Sequence, residues 1–246
     1  MKLREGLYLV GSGSWGFNLS DDLDCHVYLL DGGSEAVLVD AGGGRNMDLI
    51  LRNIEQDGIP LDRVRTLLLT HGHADHAAGA AGLREALGLR VLAAQELVES
   101  LAVGDGWGIS LGPAKAAGLY PADFTFHPCP VDRALKDGQT VSVGDCALTV
   151  IETPGHSAGH LSYLMEKDGI RYLFGGDAVF FGGRIVLQNI PDCDLQAYLR
   201  TIERLSKLAV DVFLPGHLCF SLRDGQRHLN AAMEALTRLG VPPNLT

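Results

Sequence analysis

Between Thr70 and His76 the chain reads Thr-His-Gly-His-Ala-Asp-His, so His71, His73, Asp75 and His76 put four potential metal donors into six positions. A buried imidazole needs a hydrogen-bond partner, and several crowded together repel one another once charged. A divalent cation removes both difficulties, because neutral imidazole nitrogens and a carboxylate oxygen are good donors to first-row metals. Three further candidates, His156, Asp177 and His217, each follow a glycine at the end of an apolar run. Taken singly, each reads as an ordinary loop residue. Together with the first group they make five histidines and two aspartates, enough for two ligand sets and hence a dinuclear site.

Two ions about 3.5–4 Å apart can share a hydroxide, because binding lowers the pKa of water from about 15.7 towards neutrality. The chemistry expected is hydrolysis. The bridging hydroxide attacks an electrophilic carbonyl or phosphorus while the ions polarise its oxygen and steady the leaving group. Asp75 is placed to be both ligand and catalytic proton acceptor, passing the proton on to the departing atom. Asp40 is the expected acceptor for the far nitrogen of a ligand imidazole, fixing its tautomer. A strand-end turn carboxylate is the plainer alternative for Asp40.

These side chains need rigid supports. Val64–Thr70 is a short apolar run that predicts a buried strand, and Ala77–Leu87, closing at Gly88, predicts a helix. The first ligand group therefore sits at the carboxyl end of a strand, where open α/β sheets place their sites. The apolar runs before His156, Asp177 and His217 repeat that arrangement. Gly155, Gly176 and Gly216 let the backbone turn sharply towards a shared centre. Leu195, Leu199, Ile202, Leu205 and Leu208 form one helical stripe, and Leu229, Met233 and Leu236 a second, stopped at Gly240. Met47–Asp57, opening after Asn46 and ending at Gly58, predicts a third covering helix. The run Gly42-Gly43-Gly44 lacks the following Lys-Ser/Thr of a phosphate loop and reads as a turn.

The order H-x-H-x-D-H, then His156, Asp177 and His217, with Val39-Asp40-Ala41-Gly42 upstream, resembles the metallo-β-lactamase fold superfamily. Ala41 stands where that family's V-D-T-G element has threonine. The resemblance runs from about residue 7 to His217 and implies an α/β fold, a four-layer αββα sandwich with the metals on one edge. It implies one ion held by His71, His73 and His156, a second by Asp75, His76 and His217, and Asp177 bridging. Zinc is the expected metal, with iron or manganese as alternatives. Residues 1–246 are expected to form one such domain.

Composition narrows the reaction. The net charge is −10 with no Lys/Arg cluster, which disfavours a phosphate track and hence nucleic acid. No apolar span is long enough for a membrane helix, and the amino terminus lacks a signal-peptide core, so a cytoplasmic location is expected. The five cysteines form no C-x-x-C pair and read as reduced thiols. Cys219 lies near His217, but the ligand set is already full.

Asp177 stands where one group of zinc β-lactamases has cysteine, and instead resembles the glyoxalase II, lactonase and nuclease branches. Only 29 residues follow His217, too few for the glutathione-binding helical domain of glyoxalase II. Phe180 occupies the position at which quorum-quenching lactonases carry a hydroxyl-bearing tyrosine. Residues 104–130, rich in aromatics and proline, read as an apolar wall or lid over the metals, as a packed surface excursion or as a homodimer contact. Trp107, Phe124 and Phe180 are the candidate substrate-binding residues, and Trp15 and Phe17 a second wall. His26, His160 and His228 read as structural, and a Ser157–His160 nucleophile pair is redundant beside metals. The expected substrate is a small lactone, ester or thioester. The alternatives are a persulfide dioxygenase-like oxidoreductase using one iron and, less favoured, a zinc β-lactamase.

Overall fold

The computed structural model describes residues 1–106 and 108–245, and among these it contains two β-sheets. The first runs in chain order: β1 (Lys2–Arg4), β2 (Leu7–Gly11), β3 (Val27–Asp31), β4 (Ala36–Val39), β5 (Val64–Leu68), β6 (Arg90–Ala94) and β7 (Arg133–Leu135). It is antiparallel from β1 to β4 and parallel from β4 to β7. The second contains β8 (Thr140–Val143), β9 (Cys146–Glu152), β10 (Leu161–Lys167), β11 (Ile170–Gly176) and β12 (Val212–Pro215), in the order β12-β11-β10-β9-β8. Only its β11–β12 pair is parallel. Helices are α1 (Met47–Gln56), α2 (Ala74–Ala77), α3 (Ala80–Leu87), α4 (Val98–Val103), α5 (Leu111–Ala116), α6 (Leu195–Ser206) and α7 (Gln226–Thr237).

Alternation along β11 shows how the layers stack. Tyr172 and Phe174 join one buried cluster with Ile50 and Ile54 of α1, Leu83 of α3 and the apolar residues of the first sheet. Leu173, between them, joins a second cluster with Tyr198, Ile202 and Leu205 of α6 and Leu229 of α7. Successive strand side chains point to opposite faces, so the second sheet has the first sheet on one side and α6–α7 on the other. The result is helix, sheet, sheet, helix. Each fully buried Leu, Ile or Phe contributes about 1.5–3 kcal/mol towards holding these layers together. Two tyrosines bolt the sheets near the metal-donor edge: Tyr28 Oη donates to Pro215 O (2.8 Å) and Tyr163 Oη to Leu69 O (2.6 Å).

Two helices differ in detail from the sequence pattern. The helix expected over 77–87 is broken into α2 and α3 at Gly79, whose N–H donates to Gly42 O (3.0 Å). A Cβ there would lie 2.1 Å from Ala41 O, so close packing on the Asp40 turn interrupts the helix. In α6 the buried face is Ala197, Tyr198, Thr201, Ile202 and Leu205. Leu195, Leu199 and Leu208 are only half-buried, because the centre of that stripe is rotated towards Tyr198. No described helix is long and apolar enough to cross a membrane.

Candidate metal centre

β4, β5, β9, β11 and β12 run in a common sense, and the loops after their carboxyl ends carry Asp40, the His71–His76 segment, His156, Asp177 and His217. Gly216 is required by this convergence: a Cβ there would lie 2.2 Å from Asp177 Oδ1 and 2.6 Å from His76 Cε1. At Gly155 (φ +138°) a Cβ would meet the Tyr198 backbone at 2.4–2.5 Å.

Each of four imidazoles has its far nitrogen committed to a protein acceptor. His76 Nδ1–H donates to Asp40 Oδ2 (2.8 Å), and His156 Nδ1–H to Val186 O (3.1 Å). His73 Nε2–H donates to Asp192 Oδ2 (3.1 Å). Thr70 Oγ1 donates to Asp40 Oδ2 (2.8 Å) and therefore accepts from His71 Nδ1–H (3.0 Å). These bonds set the tautomers, leaving His71 Nε2, His73 Nδ1, His76 Nε2 and His156 Nε2 as lone-pair donors turned inward. Asp40, held in the left-handed region (φ +65°), also accepts from Thr70 N (2.7 Å), so one carboxylate orients two ligand rings.

Two sets of candidate donors divide most of the inward atoms between them, while a third, His71, His76 and Asp177, crosses that division. His71, His73 and His156 bring ligand atoms within 4.8 Å of one another, and so do Asp75, His76 and His217. Asp177 stands between them, with Oδ2 3.5 Å from His156 Nε2 and 3.6 Å from His217 Nε2, and Oδ1 3.4 Å from His76 Nε2. His71 Nε2 and Asp177 Oδ1 are buried without a hydrogen-bond partner. Unpaired buried polar atoms are expensive, and lone pairs facing lone pairs are worse. A cation satisfies both, so the residues fit a bound metal.

The charge states suit this. Burial and then the neighbouring imidazoles drive His71 well below the ordinary histidine range and His156 to about 4. Burial would raise Asp75 and Asp177, yet the histidines facing them hold both carboxyls below the usual range. Burial also opposes charge on His76, but the acidic groups around it, Asp177, Asp75 and Asp40 among them, raise it well above the ordinary value. A metal ion would displace that proton.

The supporting roles of three residues gave no signal in the sequence. Asp192 anchors His73 and also accepts from Ser110 Oγ and the Ser157 side chain. His160 accepts from the Asp177 backbone N–H at Nε2 (3.0 Å) and donates from Nδ1 to Thr153 Oγ1 (2.8 Å). It positions the Asp177 carboxylate, and its bonds leave its ring unavailable as a base for Ser157. Tyr120 Oη donates to Asp75 Oδ1 (2.7 Å) and accepts from Asp75 N (3.3 Å). Oδ2 of Asp75 is thereby left facing His217 Nε2 at 3.0 Å.

A cavity of about 710 Å³ opens on this centre. His73, Asp75, His156, Asp177 and His217 form its floor, and Trp15 stands over His217 edge-on at 6.0 Å. Its apolar wall comes from Ile109 and α5 to Leu119 on one side and Val186, Leu187 and Ile190 on the other. Phe124 and Phe180, expected to touch substrate, do not line it. Phe124 is buried behind Tyr120 (5.1 Å) and Phe180 behind His217 (6.3 Å), so each backs a cavity residue. Trp107 lies outside the described residues. Phe17 turns away to stack on His26 (5.5 Å), whose Nε2–H clamps Leu218 O (2.8 Å). Cys219 is exposed and belongs to none of the donor groups among the described residues.

A family model described as the metallo-beta-lactamase superfamily matches residues 20–217. An acyl-coenzyme A thioesterase, MBLAC2 of Bos taurus, is 28% identical over 236 residues, covering 88% of this chain and 80% of that protein. A hydroxyacylglutathione hydrolase of Chelativorans sp. is 31% identical over 152 residues, covering 61% of this chain and 47% of the relative. The chain spans about half the length of several curated relatives it matches. Among solved structures, BJP-1, a subclass B3 metallo-beta-lactamase of Bradyrhizobium japonicum, superposes with a TM-score of 0.75 at 24% identity. The match covers 97% of this chain and 91% of that one.

Proposed function

The chain belongs to the metallo-beta-lactamase superfamily, and from that premise we propose that it is a dinuclear metal-dependent hydrolase of a small thioester, ester or lactone. The observation that carries this reading is the convergence of inward-facing, tautomer-locked donors, with His71 Nε2 and Asp177 Oδ1 unpaired, on the floor of a largely apolar cavity. His71, His73 and His156 would hold one ion, Asp75, His76 and His217 the other, and Asp177 both. Zinc is the metal best matched to this nitrogen-rich set, with iron or manganese as alternatives. Two such ions supply acidified water and a polarised carbonyl when bound.

The protein's own part follows from the contacts above. Asp75 takes the proton of the attacking water and returns it to the departing sulfur or oxygen. Tyr120 steadies Asp75 while it does so. Asp40, Asp192 and Val186 O keep the imidazoles in the tautomers that leave their inner nitrogens free. The walls from Ile109 to Leu119 and from Val186 to Ile190 exclude water and receive the acyl part, which favours a lid role for this stretch of the insertion over a dimer contact. The named substrates of the thioesterase and glutathione-hydrolase relatives agree with carbonyl chemistry.

A panel of thioesters, esters, lactones, phosphodiesters and β-lactams, assayed with zinc-loaded and chelator-stripped protein, tests this. Carbonyl esters should be cleaved only by the loaded form, with β-lactam and phosphodiester turnover weak. Lengthening the acyl chain should lower KM by about 0.8 kcal/mol per buried methylene until the cavity is full. Phosphodiester cleavage with no turnover of any carbonyl ester would sink the reading.

A further inference from the structure

We propose that Ser110 and Asp192 form a latch that joins the two cavity walls and ties both to the first ligand set; its metal-dependent half rests on the reading of His71, His73 and His156 as an ion site. Ser110 stands at the start of the 109–120 wall, and Asp192 lies two residues beyond Ile190, where the opposite wall ends. Ser110 Oγ donates to Asp192 Oδ1, and the other oxygen of that carboxylate accepts from His73 Nε2–H (3.1 Å). One carboxylate is therefore shared by both walls and the floor. Ser110 is a positioning residue: it acts on the site only through Asp192.

The backbone of Ser110 shows that the latch is held against resistance. Its φ of +53° lies in the left-handed region, which is unfavourable for any residue with a Cβ. The residue is buried and directly precedes α5, yet its hydroxyl caps none of the helix N–H groups. The third helical position, a usual partner for such a cap, is Pro113, which has no N–H. The hydroxyl goes to Asp192 instead, and that bond opposes a strain the backbone would relieve by letting α5 swing away. The ion enters through His73. A free neutral imidazole can carry its proton on either nitrogen, and here the two compete: Nε2 faces Asp192, while Nδ1 lies 3.0 Å from His156 Nε2. With its proton on Nδ1 the ring has nothing to give Asp192. An ion held at Nδ1 leaves the proton only Nε2. Loading the first ligand set therefore firms the carboxylate and, with it, the latch.

Hydrogen exchange at Ala114, Ala117 and Leu119, whose amides bond within the segment, reads the latch directly. In metal-stripped protein Ser110→Ala keeps the strain and loses the bond, so these amides should exchange roughly tenfold faster than in wild type. Ser110→Gly loses bond and strain together, and its rate should fall between the two. Asp192→Ala should speed exchange as much as Ser110→Ala does. The double variant should exchange no faster than either, a coupling that a merely structural serine would not show. Zinc should slow exchange in wild type but not in Ser110→Ala. By linkage, Ser110→Ala should hold zinc less tightly in chelator competition by the same factor. Wild type that takes up no zinc by elemental analysis sinks only the ion reading, because the metal-stripped comparison still decides the latch. Equal exchange in wild type and Ser110→Ala, additive effects in the double variant, or bound zinc that leaves wild-type exchange unchanged overturns the proposal.

Discussion

The metal-donor floor and the cavity wall are built by opposite strategies. On the floor the donor residues follow the carboxyl ends of strands, with Asp75 and His76 carried on the short helix α2. Asp40 alone orients His76 directly and His71 through Thr70. The wall comes from the 109–120 and 186–190 segments, which have little regular structure beyond the six-residue helix α5. Side chains on packed strand ends hold geometry to fractions of an ångström, while loops can vary in sequence and shape without disturbing it. The floor therefore determines what reaction is available, and the wall decides on which molecule.

Substitutions can break that division in order of severity. Asp177→Asn should have the largest effect, because the same carboxylate faces donors of both groups. Elemental analysis should show both ions lost or weakened together, and turnover should fall with them. Loss of a single ion would mean Asp177 does not bridge.

Asp40 and Asp192 offer a graded pair. Asp40→Asn disturbs two ligand rings and should lower metal affinity by about 10–100-fold, as loss of a ligand's hydrogen-bond partner typically does. Asp192→Asn touches only His73 and should fall at the low end of that range. Competition with a chromogenic chelator measures both. Equal losses would contradict the view that Asp40 serves two rings.

Tyr120→Phe probes a contact that joins wall to floor directly at Asp75. It removes a hydrogen bond to a carboxylate while keeping the ring on Phe124. The expected result is a drop in kcat of about tenfold with KM and metal content little changed. A rise in KM alone would make Tyr120 part of the wall and nothing more.

The same division governs what could be read from the chain. The seven candidate ligands were legible because their types and spacing are improbable without a metal, and Asp40 because a strand-end carboxylate beside such a site has an evident use. The covering helices were legible from periodicity and the four layers from the family resemblance, apart from the break at Gly79, which depends on where Ala41 O happens to lie. Asp192, His160 and Tyr120 were not read as partners of His73, Asp177 and Asp75. Each lies 17 or more residues from its partner, and a single side-chain contact over that separation leaves no pattern. Phe124 was expected at the substrate because the aromatic insertion suits an apolar pocket, and Phe180 because it stands at the position of the lactonase tyrosine. A strand or loop aromatic can as easily pack behind the wall, and only the tertiary fold distinguishes the two.

The central claim, two ligand sets sharing one bridge, is tested most directly by metal content. Protein saturated with zinc and desalted should carry close to two ions per chain by elemental analysis. His156→Ala and His217→Ala should each retain close to one, lost from opposite sets. One ion in the intact protein under metal-replete conditions, or both lost in either variant, would contradict the account.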